Sequence, residues 1–193
     1  MTARRAWAEG RWTHPPVSSA ADGDDLVVEA VAQSDAWRIT SYGFVHDTEH
    51  ALVAELGASE AVEVVFGCDF TAQFDQAGVF VRVDDETWVK AGVEFADGVP
   101  QVGAVVTLGV SDWSVAPVPE WQGQRVRVRV SRHGDALTVR AGVDGDELRL
   151  VRVAPFPAGV TAEAGPFLCA PSRPGLSVRF HEWSTGPADA SLH

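Results

Sequence analysis

"QRVRVRVSR" (124–132) sets Val126, Val128 and Val130 at every second position, with Arg125, Arg127 and Arg129 between them. A period of two sends neighbouring side chains to opposite sides of an extended chain, so this stretch is a strand with one buried face. "DALTVRAGVDG" (135–145) repeats the pattern with Leu137, Val139, Ala141 and Val143. "HGD" (133–135) between them reads as a hairpin loop, in which Gly134 can take a positive φ. "DG" at 144–145 then turns the chain into "DELRLVRV".

Similar runs fill the rest of the chain: "DLVVEAV", "HALVAEL", "AVEVVFGCDF", "QAGVFVRV", "TWVKAGVEF", "QVGAVVTL", "GVTAEAGPFL" and "GLSVRFHEW". Gly, Pro and Asp clusters such as "ADGDD", "VDDE", "ADGVP" and "APSRPG" separate them. Many short strands without a long helical segment imply an all-β sandwich or barrel. "HDTEHALVAELGASEAV" (46–62) is the one window open to a helix; its apolar residues break the 3.6 period, and it reads as strand. A chain of 193 residues with 46% hydrophobic composition fits one domain over 1–193, its core at about 10–185. The ends, about 1–10 and 186–193, read as frayed.

Net charge is −12. An acidic surface repels phosphate, which argues against nucleic-acid and anionic-membrane partners. No apolar run approaches the ~20 residues of a membrane span. "MTARRAWAEGRWTHPP" carries arginines but no apolar signal core, which points to the cytoplasm. Cys68 and Cys169 are the only cysteines and read as small buried apolar side chains, with a disulfide left open. No pair of ligands has a zinc-site spacing, and neither a metal nor a cofactor is expected. His46 and His50 read as surface residues, and the acidic loops 22–25 and 83–86 as turn chemistry rather than calcium sites. There is no G-x-S-x-G, P-loop or Rossmann signature.

Lys90 is the only lysine, against fourteen arginines. In "TWVKAGVEF" (87–95), Val89, Ala91, Val93 and Phe95 form one face, while Trp88, Lys90, Gly92 and Glu94 form the other. An odd-length hairpin loop over 83–87 would pair Val81 with Val89 and Val79 with Ala91. It would set Phe80 opposite Lys90, Gln76 opposite Glu94, Arg82 opposite Trp88, and Gly78 opposite Gly92. The result is a patch of aromatic, charged and amide groups around a glycine pair. An indole can cover the apolar face of a sugar while carboxylate, amide and ammonium bond its hydroxyls. The competing reading is a solvated sheet face with a weak Lys–Glu pair.

"SYGFVHD", "FDQAGVFVRVDDETWVKAGVEFADGVPQ", "SDWSVAPVP", "RVRVSRHGDALTVRAGVDG" and "AGPFLCAPSRPGLSVRFHEW" resemble the bacterial and fungal domain family of unknown function related to the regulation-of-enolase protein. That family is placed in the concanavalin A-like lectin and glucanase superfamily, and the likeness runs over about residues 10 to 185. It implies a two-sheet antiparallel jelly-roll sandwich of roughly twelve to fourteen strands, with a ligand site on a concave sheet. By motif position it extends the patch to Trp37, Arg38, Tyr42, His46 and Asp47 of "AWRITSYGFVHD", and to Asp112 and Trp113 of "SDWS".

The candidate ligand site is therefore Lys90, Glu94, Gln76, Trp88, Tyr42, Arg38, His46, Asp112 and Trp113, with no catalytic residues assigned. The E-x-D-x-x-E strand of the superfamily's retaining glucanases is missing here. A glycosidase needs two carboxyl groups about 5–10 Å apart, and only Glu94 with Asp112, from different strands, could supply them. Non-catalytic binding of a carbohydrate or similar small polar ligand ranks first. A glycoside-active enzyme using Glu94 and Asp112 is one alternative. A protein-interaction module regulating a metabolic enzyme is the other. Partners are thus a saccharide or small polar ligand, with a homodimer left open.

Overall fold

The computed structural model describes residues 2–192. Its strands, in chain order, are β1 (Ala3–Arg4), β2 (Arg11–Trp12), β3 (Ser18–Asp22), β4 (Asp25–Glu29), β5 (Ala36–Arg38), β6 (Val45–Asp47), β7 (His50–Leu56), β8 (Glu60–Gly67), β9 (Gln76–Asp84), β10 (Thr87–Ala96), β11 (Val99–Leu108), β12 (Val110–Pro117), β13 (Arg125–His133), β14 (Ala136–Val143), β15 (Arg149–Pro155), β16 (Ala162–Cys169) and β17 (Ser177–Pro187). Helix among the described residues is confined to two short 3₁₀ turns, Trp7–Glu9 and Pro119–Trp121. No helix there is long and apolar enough to cross a membrane.

The first sheet runs β15-β14-β13-β8-β17-β4-β3, with β1 also on β17. The second runs β12-β11-β10-β9-β16-β7-β2, and β5-β6 form a separate two-stranded flap. Ladder pairing is antiparallel in both large sheets. The molecule is all-β, as the alternation implied, and it is the two-sheet antiparallel sandwich that the family resemblance implied. The window 46–62 forms β7, β8 and the end of the flap, with no helix in it.

One continuous core lies between the sheets. Val126, Val128, Val130, Leu137, Val139 and Phe180 of the first sheet meet Val79, Val81, Val89, Ala91 and Val93 of the second. The arginines between the β13 valines face outward into a carboxylate network. Arg127 bonds Glu63, Asp144 and Glu182, and Arg129 bonds Glu63 and Asp189. Opposite charges across neighbouring strands stabilise such a face, which explains the Val–Arg alternation at both of its positions.

Two expectations need correction. The ends are not frayed across the described residues. β1 pairs with β17, Trp7 stacks on Trp183 at 6.4 Å between ring centroids, and Asp189 bridges Arg129 and Arg140. Met1 and His193, within the ranges read as frayed, lie outside the described residues. His50 is buried rather than on the surface. Its Nε2 accepts from Val31 N at 3.0 Å while its Nδ1 faces the His14 carbonyl at 3.0 Å, which fixes the neutral Nδ1–H tautomer. Burial lowers its pKa in agreement. Cys68 and Cys169, whose pairing was open, are both buried and free, one in the inter-sheet core and the other under the flap.

Candidate functional site: a flap-covered cleft on the second sheet

The β9–β10 register is the one deduced from parity: Val81↔Val89, Phe80↔Lys90, Val79↔Ala91, Gly78↔Gly92, Gln76↔Glu94 and Arg82↔Trp88. The Lys90 side is therefore the outer face of the second sheet, away from the inter-sheet core. That face is not open to solvent. A second apolar cluster sits on it, made of Phe80, Trp88, Val105, Phe167 and Cys169 with Ala36, Ala51 and Val53. The flap β5-β6 and the segment leading into it lie over this cluster, with Trp37 packed against it.

Between flap and sheet lies a cleft of about 590 Å³. Trp37, Tyr42, Phe44, Phe74 and Trp113 wall it, and Gln76, Lys90, Glu94, Asp35 and His46 reach into it. Volume and lining suit a small polar molecule: aromatic walls with convergent polar and charged groups. The flap aromatics hold one another. Tyr42 stacks on Phe44 at 5.3 Å, Trp37 meets Tyr42 edge-on at 5.7 Å, and Phe44 meets His46 edge-on at 4.7 Å. Gln33 and Phe74, both lining the cleft, have left-handed backbones (φ 67° and 68°), and so does Ile39 in the flap turn (φ 63°). A β-branched residue in that region is held there by its surroundings.

Lys90 is 5% exposed and its Nζ donates to Asp35 Oδ1 at 2.7 Å. Burial by itself would lower its pKa. The Asp35 charge above all, with its hydrogen bond and the nearby Glu94, outweighs that and holds it above the usual lysine value. Lys90 is therefore a fixed cation, and the depressed pKa that a lysine base requires is not met. Glu94 behaves in the opposite way. Burial, with a further push from Asp35, raises its carboxyl to about 7 despite the pull of Lys90. Its Oε1 is buried without a hydrogen-bond partner among the described residues. Gln76 is buried, and its amide donates to Phe74 O at 3.1 Å, holding the cleft end of the loop before β9.

Of the residues singled out in the sequence, Lys90, Glu94, Gln76, Tyr42, His46 and Trp113 line the cleft. Three do not. Trp88 is buried below it, stacked on Phe80 at 5.4 Å, because the flap turns that part of the sheet face into a small core. Arg38 fastens the flap. Its backbone N donates to Ser111 Oγ at 2.9 Å, its Nε to Gly109 O at 3.1 Å, and its guanidinium to Glu86 at 2.6 Å. Asp112 pairs with Val106 in register, so it shares the Val89 side of the sheet and bonds Arg152 at 2.9 Å. The acid–base pair of Glu94 with Asp112 is therefore not assembled: its members project from opposite faces. Asp35, Phe74 and Phe44 were missed. Asp35 lies in an irregular segment 55 positions before Lys90, where no periodicity reports direction. The acidic loops are occupied by arginines. Asp85 pairs with Arg82, Glu86 with Arg38, and Asp22 and Asp25 with Arg179.

Fold and cleft together define a class: an antiparallel β-sandwich that carries a polar-floored, aromatic-walled pocket under a hairpin flap. Within that class, the chain belongs to the family described as "Protein of unknown function (DUF1349)", whose model matches residues 12–188. It is 37% identical over 187 residues to "Regulation of enolase protein 1" of Saccharomyces cerevisiae, covering 96% of this chain and 94% of that one. Among solved structures it resembles a functionally unknown protein from Saccharomyces cerevisiae, with a TM-score of 0.90 and 34% identity over 96% of this chain and all of that one. A xylan β-1,4-xylosidase from Bacillus halodurans shares the sandwich alone. The TM-score is 0.64 at 14% identity, over 86% of this chain and 35% of the other.

Proposed function

We propose that this protein binds a saccharide or similar small polar ligand, without catalysis, in the cleft under the flap, and that it works in the cytoplasm. The observation that supports this most is the floor of the cleft. The buried Lys90, paired with a half-buried Asp35, stands beside a Glu94 carboxyl oxygen left unpartnered, under walls of Trp37, Tyr42 and Trp113. A buried polar atom without a partner costs stability, and a ligand hydroxyl would satisfy it. With its pKa near 7, Glu94 can donate or accept. The indole and phenol faces suit the C–H side of a sugar ring.

The test is a thermal-shift and NMR titration against pentoses, hexoses and their oligomers. A binder should raise the melting temperature and move the indole signals of Trp37 and Trp113. Trp113→Ala and Glu94→Gln should each weaken it tenfold or more. If no saccharide moves either signal, the reading fails.

A second reading is a protein-interaction module. It is favoured by the exposed flap tip, where Tyr42 is 61% exposed beside Phe44 and Ile39, and by the name of the yeast relative. In that case a pull-down should recover a metabolic enzyme, and Tyr42→Ala with Phe44→Ala should release it. The glycoside-active reading loses Asp112. Turnover of an oligosaccharide that vanishes in Glu94→Gln would be needed to restore it.

A further inference from the structure

Below the base of the flap, and apart from the cleft, three ligand-type side chains converge. His14 follows β2, Asp47 ends the flap strand β6, and Glu49 leads into β7. One ring nitrogen of His14 and one carboxylate oxygen each from Asp47 and Glu49 lie within 4.8 Å of one another. Glu49 is 0% exposed, yet neither of its carboxylate oxygens has a hydrogen-bond partner among the described residues. The nearest cations stand off from it: His14 Nδ1 at 3.7 Å and Arg82 at 3.9 Å from Oε1. A buried carboxylate with neither oxygen hydrogen-bonded is costly unless something binds it. Thr13 Oγ1 and His14 Nδ1 both bond the Glu49 backbone carbonyl, at 3.0 and 2.9 Å. The backbone around the acid is thus tightly held while its head group makes no hydrogen bond among the described residues.

We propose that His14, Asp47 and Glu49 form a divalent transition-metal site, zinc being the best fit, that fastens the base of the flap to the N-terminal strand. One imidazole with two carboxylates suits zinc better than calcium or magnesium, which prefer all-oxygen shells. Tetrahedral zinc with bonds of ~2.0–2.1 Å places its ligand atoms ~3.3 Å apart. Binding would draw the three ligand atoms, which lie within 4.8 Å of one another, together to that spacing. His14 and Asp47 also line a polar hollow with Arg11, Thr13, Arg82 and Asp85, from which water would complete the shell. The spacing rule missed the site because two of its ligands are separated by one residue and the third lies over thirty positions away.

The test is calorimetry of the EDTA-stripped full chain with ZnCl2, MnCl2 and CaCl2, with amide exchange of residues 36–47 followed in parallel. The expected result is one equivalent of zinc bound in preference to calcium, with slower exchange across the flap. Glu49→Gln, His14→Ala and Asp47→Asn should each weaken zinc tenfold or more, the range found when support of a metal site is lost. His46→Ala, which alters only the cleft side of the same strand, should bind zinc as the parent does. Asp47 is half-buried at the flap edge, so Asp47→Asn decides the matter if Glu49→Gln fails to fold. No zinc uptake, a preference for calcium, or uptake that survives Asp47→Asn would overturn the assignment. None of these results depends on whether the cleft binds a sugar.

Discussion

Glu94 shows how much one carboxyl group can impose. Its pKa is raised from 4.5 to about 7 in the folded chain, chiefly by burial. Between those two values the native state holds a proton that the unfolded state has lost, so stability falls as pH rises through this window. At ~1.4 kcal/mol for every pH unit between the two values, the loss above pH 7 is about 3 kcal/mol. Glu94→Gln should remove it: urea melts should give parent and variant similar stability near pH 4.5, and a more stable variant at pH 8. Equal slopes in both proteins would show that Glu94 is ionised throughout. Lys90→Met tests the same group from its neighbour. It deletes the attraction that now pulls Glu94 down, so the carboxyl should titrate above 7 by NMR. It also strands Asp35, at a cost of about 3 kcal/mol. A Glu94 titration unmoved by Lys90→Met would mean that the two groups do not sense each other.

At the scale of the strand, parity reports direction where the chain is regular and falls silent where it is not. Lys90, Glu94 and Gln76 could be placed on one face because each lies within an alternating run whose hairpin has an odd loop. Asp112 and Trp113 could not both be site residues: adjacent residues on a strand face opposite ways, and only Trp113 shares the Lys90 side. The same rule separates the cleft-lining His46 from Asp47 in β6. Asp35 and Phe74 lie in connecting segments, whose direction is set by tertiary contacts. The glycines divide in the same way. Gly134 turns the β13–β14 hairpin at φ 60° with nothing around a would-be Cβ, so Gly134→Ala should cost only the strain of that backbone, about 1 kcal/mol. Gly92 sits mid-strand opposite Gly78, and a Cβ there would drive into Ala77 O and the Gly78 Cα. The pair read as leaving a hollow thus also lets two backbones close together. Gly92→Ala should cost about 3 kcal/mol or more in urea melts, and a smaller loss than in Gly134→Ala would refute the close-approach account.

Across the whole molecule, the N-terminal segment does what composition alone did not suggest. β1 adds to β17 of the first sheet and β2 to β7 of the second, so residues 3–12 cross from one sheet to the other. Between them Trp7 lies on Trp183, and Gly10 approaches Leu52 and Trp183 so closely that no Cβ fits. Arg5 caps the same indole from 5.7 Å. The family match begins only at residue 12, and a short polar-looking segment before it reads as a tail. The structure makes it a clasp over the open end of the core, where Trp183 is fully buried. Removing residues 2–10 should uncover that indole and part of Leu52, a loss of about 2–4 kcal/mol at ~25 cal/mol per Å² of apolar area. For a chain of this size that corresponds to a fall of roughly 5–10 °C in Tm. Trp183 fluorescence should shift to the red as water reaches the ring. Trp7→Ala should reproduce part of the fall without shortening the chain. A truncated protein that melts with the parent, its indole emission unchanged, would show that the sandwich is closed by the sheets alone.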